Sequence, residues 1–162
     1  VLCANLPYYI TSPVIMRFLE EHVPVSSLTV MVQKEAARRI CARPGSRECG
    51  AVSVAVRYYA EPEILFEVSR GSFLPAPKVT SSVVRLTPHA PPACVADERF
   101  FFRVVRAAFA QRRKTLQNAL TSAFGDRERV RAAIAGTALP EDVRGERLDL
   151  PAFAAIARAL RE

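Results

Sequence analysis

The sequence predicts an α/β fold, in which a partial sheet over residues 1–88 is followed by a small all-α domain over residues 97–162. Two short apolar runs, Val1–Ala4 and Ser27–Gln33, flank a segment with helical spacing, which is typical of a strand, a helix and a second strand. A proline cluster over residues 88–93 then marks a domain boundary. Beyond it the apolar residues recur at helical spacing alone.

The strand–helix–strand unit at the start of the chain predicts a parallel sheet. Thr11 or Ser12 can cap the intervening helix, with Pro13 in its first turn, where a missing N–H costs nothing. Because a helix carries the chain from one strand to the next, we expect the two strands to run side by side in the same direction.

The rest of the first domain alternates in the same way. Lys34–Ala42 has a helical pattern, and Gly50–Glu61 is a second apolar helix for which a strand is an open alternative. Glu63–Ser69 and Ser81–Pro88 are strand-like runs. The loop between them, Arg70–Thr80, contains two prolines and is too stiff for a tight hairpin turn.

The second domain follows a linker over residues 89–96. Glycines and a proline separate its apolar segments, as expected for helices joined by short turns. The four predicted helices are Glu98–Ala110, Lys114–Phe124, Asp126–Gly136 and Leu150–Leu160.

Composition and charge limit the classes of protein to which this chain can belong. The 162 residues carry a formal net charge of +7, and a basic excess attracts polyanions. No apolar run approaches the roughly 18 residues that a bilayer span needs, and no secretion signal opens the sequence. We therefore expect a soluble, cytoplasmic protein that does not bind membranes.

The cysteines and histidines do not predict a metal site. They lack the short spacings that build zinc centres or redox pairs, and the two histidines are isolated. We expect reduced, mostly buried thiols and no metal. These residues are Cys3, Cys41, Cys49, Cys94, His22 and His89.

The five residues after the first predicted strand, Asn-Leu-Pro-Tyr-Tyr, carry the chemistry of this sequence. Leu6 precedes Pro7, which holds its backbone extended and its carbonyl in one direction. Asn5 adds a side-chain acceptor and Tyr8 an aromatic face, at the strand end where open α/β sheets bind ligands. Together they could hold a planar heterocycle with an amino group, although a simple strand-ending turn with packed tyrosines is the alternative.

Three motifs in order resemble one family. "NLPY", Asn5–Tyr8, resembles the motif of methyltransferases that act on exocyclic amines, in the form typical of ribosomal RNA adenine dimethyltransferases. "SFLPAPKVTSSVVRL", Ser72–Leu86, resembles the second signature of that family. "FAQRRKTLQNAL", Phe109–Leu120, resembles its basic helix, with Gln117 where an arginine is common, and Glu146–Leu160 resembles its closing helix.

The resemblance implies a fold and a function. The first domain would be part of a Rossmann-like methyltransferase sheet. The activity would be S-adenosylmethionine-dependent dimethylation of the 6-amino groups of adjacent adenines in small-subunit ribosomal RNA, during ribosome biogenesis. The partner would be that RNA in a pre-ribosomal 30S particle, in a bacterial cytoplasm, and no metal would be needed.

The resemblance also implies roles for the motif residues. An extruded adenine would stack on Tyr8, and Phe73 would cover its second face, as extruded bases are held elsewhere. The Asn5 side chain and the Leu6 carbonyl would accept hydrogen bonds from the 6-amino group, with Pro7 shaping the turn. Asn5 would also touch the cofactor, and catalysis would consist of positioning the amine lone pair toward the sulfonium methyl.

A run of cations predicts the RNA-binding surface. From Arg99 to Gly125 the sequence has six cations and no acidic residue, whereas a salt-bridged helix surface would alternate charges. Arg99, Arg103 and Arg106 share a helix face opposite an apolar stripe that runs from Phe101 to Leu116. A merely solvated face is the alternative. The predicted RNA contacts are Lys78, Arg103, Arg106, Arg112, Arg113 and Lys114.

The glycine-rich turn and strand-end carboxylate that usually hold S-adenosylmethionine are not evident, because the six glycines form no Gly-x-Gly. We therefore expect the chain to be the C-terminal part of a longer enzyme, inactive alone. Two other functions stay open. One is a large-subunit methyltransferase of the Erm antibiotic-resistance type, and the other is a non-catalytic RNA-binding assembly factor on the same fold.

Overall fold

The computed structural model describes residues 1–161, which form two compact units. The first unit comprises Val1–Ala42 and Ala55–Ala90, and the second comprises Arg43–Val54 and the chain from Pro91 onward. The elements are β1 (Leu2–Asn5), α1 (Thr11–Glu20), β2 (Leu28–Gln33), α2 (Lys34–Ile40), α3 (Ala51–Tyr59), β3 (Ala60–Val68), β4 (Ser81–Pro88), α4 (Glu98–Phe109), α5 (Leu116–Phe124), α6 (Arg127–Ala135) and α7 (Leu150–Arg161).

The predicted helices and strands are all present, and residues 89–96 form neither. The segment for which helix and strand were both open contains both, because α3 ends at Tyr59 and β3 begins at Ala60. The domain boundaries themselves stay a prediction.

The four strands form one mixed sheet in the order β1-β2-β4-β3. β1 and β2 are parallel, as the crossover through α1 predicts, with Asn5 opposite Met31. β4 runs antiparallel to both β2 and β3. The expectation of a parallel sheet is therefore wrong beyond the first pair, because β3 reaches β4 through a loop over residues 69–80 rather than through a crossover helix.

Alternate side chains of the central strands form the core of the first unit. β2 is buried at every second residue, so one face of the sheet packs under the helices. Buried core residues here are Leu28, Val30, Val32, Val84 and Leu86 from the sheet and Ile15, Leu19, Ala37 and Ile40 from α1 and α2.

The second unit has a helical core of its own. The stripe predicted on α4 is buried, α4 packs against α5 and α7, and α6 packs against those two helices. The largest buried side chains are Phe101, Leu116, Leu120, Leu148, Phe153 and Ile156. Asp97, Thr115 and Asp126 cap α4, α5 and α6 by accepting a hydrogen bond from a backbone N–H of the first turn.

Two local predictions are wrong. Thr11 lies inside α1, whose N-cap residue is Ile10, and its hydroxyl donates to the Pro7 carbonyl at 3.4 Å instead of capping the helix. The reason is the preceding 3₁₀ turn, Tyr8–Ile10, which leads directly into α1 and leaves no extended residue for a side-chain cap. Of the four cysteines, all within the described chain and none in a disulfide, Cys49 alone is buried, so the expectation of mostly buried thiols is wrong. Within residues 1–161, no helix combines the length and apolarity that crossing a bilayer requires.

Candidate active site

Two motifs far apart in the sequence line one cavity of the first unit. The turn after β1 forms one side, and the proline-containing loop between β3 and β4 forms the other. The cavity is open and has a volume of about 310 Å³. Its lining residues are Asn5, Leu6, Pro7, Tyr8, Phe73, Pro75 and Pro77.

The turn after β1 exposes polar acceptors at the strand end. Asn5 is the last residue of β1 and is exposed, and within residues 1–161 its side-chain amide has no hydrogen-bond partner. Pro7 has an extended backbone (φ −55°, ψ 132°), and its carbonyl accepts from the Ile10 N–H at 3.1 Å. The turn thus satisfies the Pro7 carbonyl internally and leaves the Asn5 amide available to a ligand.

Tyr8 is held across the cavity wall by a residue that the sequence did not single out. Its hydroxyl shares a hydrogen bond of 2.7 Å with the Ser81 hydroxyl, and Ser81 is fully buried at the start of β4. Ser81 lies opposite Gln33 of β2 and Val68 of β3, so it is fixed from both sides. The sequence showed only that Ser81 belongs to a strand-like run. The periodicity of a strand does not reveal which group its hydroxyl will bind.

Phe73 lines the cavity because a short turn orients the loop between β3 and β4. The Ser69 hydroxyl accepts from the Gly71 N–H at 3.1 Å and caps the 3₁₀ turn Arg70–Ser72. Phe73 follows this turn with extended backbone and is half-buried, whereas the next residue, Leu74, is fully exposed. The aromatic ring of Phe73 therefore belongs to the cavity wall and the side chain of Leu74 does not.

Lys78 is not part of this wall. It is exposed, and its backbone carbonyl accepts from Arg70 Nη1 at 3.4 Å. Its proposed contact with phosphate stays a prediction.

The chemistry of the lining suits a planar base. It consists of an amide, two aromatic rings, three prolines and one leucine, and it includes no carboxylate. Aromatic rings and prolines offer flat apolar faces, and the amide and backbone oxygens can accept hydrogen bonds from an amino group. A ribose or an amino-acid moiety would find no acidic partner among these lining residues.

The cations predicted to bind RNA lie on the second unit, apart from Lys78. Arg99, Arg103 and Arg106 are exposed on α4, opposite its buried stripe. The Arg103 guanidinium lies 4.9 Å from the ring centre of Phe124. Arg113 and Lys114 are exposed too, and within the described chain neither forms an ion pair.

Arg112 differs from its neighbours. It is exposed, but its Nη2 donates a hydrogen bond of 2.7 Å to the backbone carbonyl of Arg47. Arg112 was predicted from the sequence to contact RNA. Its partner Arg47 lies 65 residues away in the chain, and no local sequence pattern indicates this hydrogen bond.

Comparisons with known proteins agree on one family. The family model described as ribosomal RNA adenine dimethylase matches residues 1–150. Ribosomal RNA small subunit methyltransferase A of Geobacillus thermodenitrificans is 45% identical over 165 residues, which cover 99% of this chain and 56% of that protein. The protein of the same name from Moorella thermoacetica is 47% identical over 159 residues, which cover 98% and 55% respectively. The chain thus spans about half the length of the curated relatives it matches.

Solved structures support the fold. A dimethyladenosine transferase from Plasmodium falciparum superimposes with a TM-score of 0.73 at 23% identity, covering 95% of this chain and 64% of that chain. The 23S rRNA methyltransferase ErmE superimposes with a TM-score of 0.70 at 23% identity, covering 99% and 64%. The fold is accordingly a partial Rossmann-like sheet in the first unit, with a helical second unit.

Proposed function

This chain belongs to the ribosomal RNA adenine dimethylase family, and from that membership we propose that the full-length protein carrying it dimethylates the 6-amino groups of adjacent adenines in small-subunit ribosomal RNA. The name shared by its curated relatives supports the small subunit as the source of the RNA. The reaction would act on a pre-ribosomal 30S particle in the cytoplasm. S-adenosylmethionine, when bound, would supply the methyl group.

One observation carries the proposal. The Asn5–Tyr8 turn and Phe73 line the same cavity although they are far apart in the chain. A flat cavity wall with an unpartnered amide is the site that an extruded adenine requires, since such bases are held by stacking and by hydrogen bonds to their edges.

The cavity residues would hold the amine for transfer. The two N–H groups of the adenine amine would donate to the Asn5 side-chain oxygen and the Leu6 carbonyl, with the ring stacked on Tyr8. Phe73 would cover the second face. These contacts fix the direction of the amine lone pair, so the protein contributes positioning and electrostatics rather than a nucleophile.

The described lining fits the target base and not the whole cofactor. It has no carboxylate that could bind ribose hydroxyls, so Asn5 is the residue of this wall that we assign a contact with S-adenosylmethionine.

The helical unit would supply affinity for RNA. Arg103 and Arg106 on α4, and Arg113 and Lys114 after it, are exposed cations without acidic partners in the described chain. Such cations bind phosphates without reading sequence. The likeness to ErmE is one of fold, so it does not favour a large-subunit substrate over the one named for the curated relatives.

The test is Asn5→Ala in the full-length protein, assayed by single-turnover methyl transfer to small-subunit RNA. We expect the rate of transfer to fall by about 100-fold or more, as when one positioned hydrogen-bonding group is removed from other active sites. RNA affinity should change little. Asn118→Ala is the matched control, because it makes the same change on an exposed face of α5. Normal transfer with weakened RNA binding would instead make Asn5 a turn residue.

A further inference from the structure

The segment over residues 43–50 belongs to the helical unit although it precedes α3 in the chain. Two hydrogen bonds attach it there. The Gly45 N–H donates to the Glu146 carbonyl at 2.6 Å, and Arg112 Nη2 donates to the Arg47 carbonyl at 2.7 Å. Gly45 has a φ of +87°, a conformation that side chains other than glycine rarely adopt, so the shape of this turn depends on it.

These contacts bring three basic segments together: residues 43–50, 111–114 and 144–147. They contain seven cations and two carboxylates, Glu48 and Glu146. All seven cations are exposed, and within residues 1–161 none of them forms an ion pair. The cations are Arg43, Arg47, Arg112, Arg113, Lys114, Arg144 and Arg147.

Arg112 acts here through its hydrogen bond. Its guanidinium binds a peptide carbonyl of the 43–50 segment, so this segment is held beside the turn that carries Arg113 and Lys114. Arg147 is close as well, since its Nη1 lies 3.7 Å from the position that a Cβ on Gly45 would occupy. Cations without acidic partners repel one another when they are held close together. This repulsion destabilises the cluster unless an anion binds and neutralises it.

We propose that the 43–50 segment is a second RNA-backbone contact of this protein, with Arg43 and Arg47 binding phosphates and Arg112 serving as the positioning residue that holds them beside Arg113 and Lys114. This inference rests on the proposed function for the identity of the polyanion. A membrane surface fits less well, because no large apolar side chain is exposed in these three described segments and surface-bound segments insert such side chains.

The test measures binding of the full-length protein to a short RNA stem-loop over a range of KCl concentrations. Arg43→Ala/Arg47→Ala should weaken binding and reduce the log–log salt slope by up to about 0.9 for each phosphate that the variant no longer binds. Arg127→Ala/Arg131→Ala is the matched control, because it removes the same charge from exposed positions on α6. Equal reductions in both pairs would overturn the proposal, since net charge alone would then explain them.

A second variant tests the positioning role of Arg112. If Arg112 acts through the 43–50 segment, Arg112→Ala combined with Arg43→Ala/Arg47→Ala should lower the salt slope little beyond the larger of the two separate effects. Fully additive effects would show that Arg112 binds phosphate independently and overturn that role. Gly45→Val, which strains the turn without changing charge, should reduce the slope as well, and an unchanged slope would contradict the proposal.

Two further measurements separate this inference from other outcomes. In one measurement, vesicles of phosphatidylserine and phosphatidylcholine replace RNA. If Arg43→Ala/Arg47→Ala lost binding to these vesicles but bound RNA normally, RNA would be the wrong polyanion and the proposal would be overturned. Arg43→Ala/Arg47→Ala should raise the RNA concentration at which single-turnover methyl transfer is half-maximal. An unchanged half-maximal RNA concentration, together with an unchanged salt slope, would contradict the inference while leaving the proposed reaction in place.

Discussion

The hydroxyls of Tyr8 and Ser81 lie 2.7 Å apart and join the turn after β1 to the first residue of β4. Ser81 is fully buried, and the Tyr8 ring is half-buried in the cavity wall. The hydrogen bond to a residue of the sheet fixes the position of the Tyr8 hydroxyl and so restricts movement of this side chain in the cavity wall.

Ser81→Ala should therefore slow methyl transfer by about 5- to 10-fold, the equivalent of one hydrogen bond of roughly 1 kcal/mol, while RNA affinity is retained. Tyr8→Phe removes the same bond and should have a similar effect, and the double variant should be little worse than either single one. Ser82→Ala is the control, because Ser82 is also buried in β4 but the Tyr8 hydroxyl bonds to Ser81. Additive effects would argue that the two hydroxyls act independently.

Phe73→Ala should reduce methyl transfer because the cavity loses one aromatic wall. Stacking of a base on an aromatic side chain contributes about 1–3 kcal/mol, which corresponds to roughly 5- to 150-fold in single-turnover transfer at limiting RNA. Leu74→Ala serves as the comparison, since Leu74 is the neighbouring residue and is fully exposed. A larger decrease in Leu74→Ala than in Phe73→Ala would show that the loop contacts RNA by a different side chain.

Arg57→Met should destabilise the first unit. Arg57 donates from Nη2 to the Cys41 carbonyl at 3.0 Å and from Nε to the Ala42 carbonyl at 3.1 Å, so it satisfies carbonyls at the C-terminal end of α2. Removing these bonds leaves half-buried acceptors without partners, at a cost of about 1–3 kcal/mol in the free energy of unfolding by urea. Arg38→Met, on an exposed face of α2, should change it by less than about 0.5 kcal/mol.

The thiol of Cys41 should react slowly with iodoacetamide. Its pKa is raised from 9.0 to about 11, mainly by burial, with Arg57 lowering the pKa and Glu61 and Glu63 raising it. Because the thiolate is the reactive form, its alkylation should keep accelerating as the pH rises toward 11. Mass spectrometry should find the exposed Cys3 labelled first.

The raised pKa of Cys41 also predicts the direction in which the free energy of unfolding changes with pH. Below pH 9 the Cys41 thiol is protonated in both the folded and the unfolded chain, so it contributes no pH dependence. Between pH 9 and about 11 the unfolded chain loses this proton first, and the free energy of unfolding should fall as the pH rises. Equal labelling of Cys3 and Cys41 near neutral pH would contradict both expectations.

Periodicity in the sequence determined the elements themselves. The apolar run over Ser27–Gln33 and the helical stripe from Phe101 to Leu116 are local patterns. The run is confirmed as a strand, and the stripe is confirmed as a buried face. The turn at Asn5–Tyr8 could also be predicted, because a proline constrains the backbone of the residues next to it. The roles assigned to these residues stay predictions.

Tertiary structure alone decided which distant segments meet. Strand direction beyond the first pair depends on how β3 connects to β4, and no periodicity within a strand encodes its partner. The Tyr8–Ser81 bond and the Arg112–Arg47 bond join residues 73 and 65 positions apart, and a side chain's hydrogen-bond partner is set by packing rather than by its own sequence neighbourhood. For that reason a serine in a strand became part of the candidate site, and Arg112, predicted to bind RNA, donates to a backbone carbonyl of its own chain.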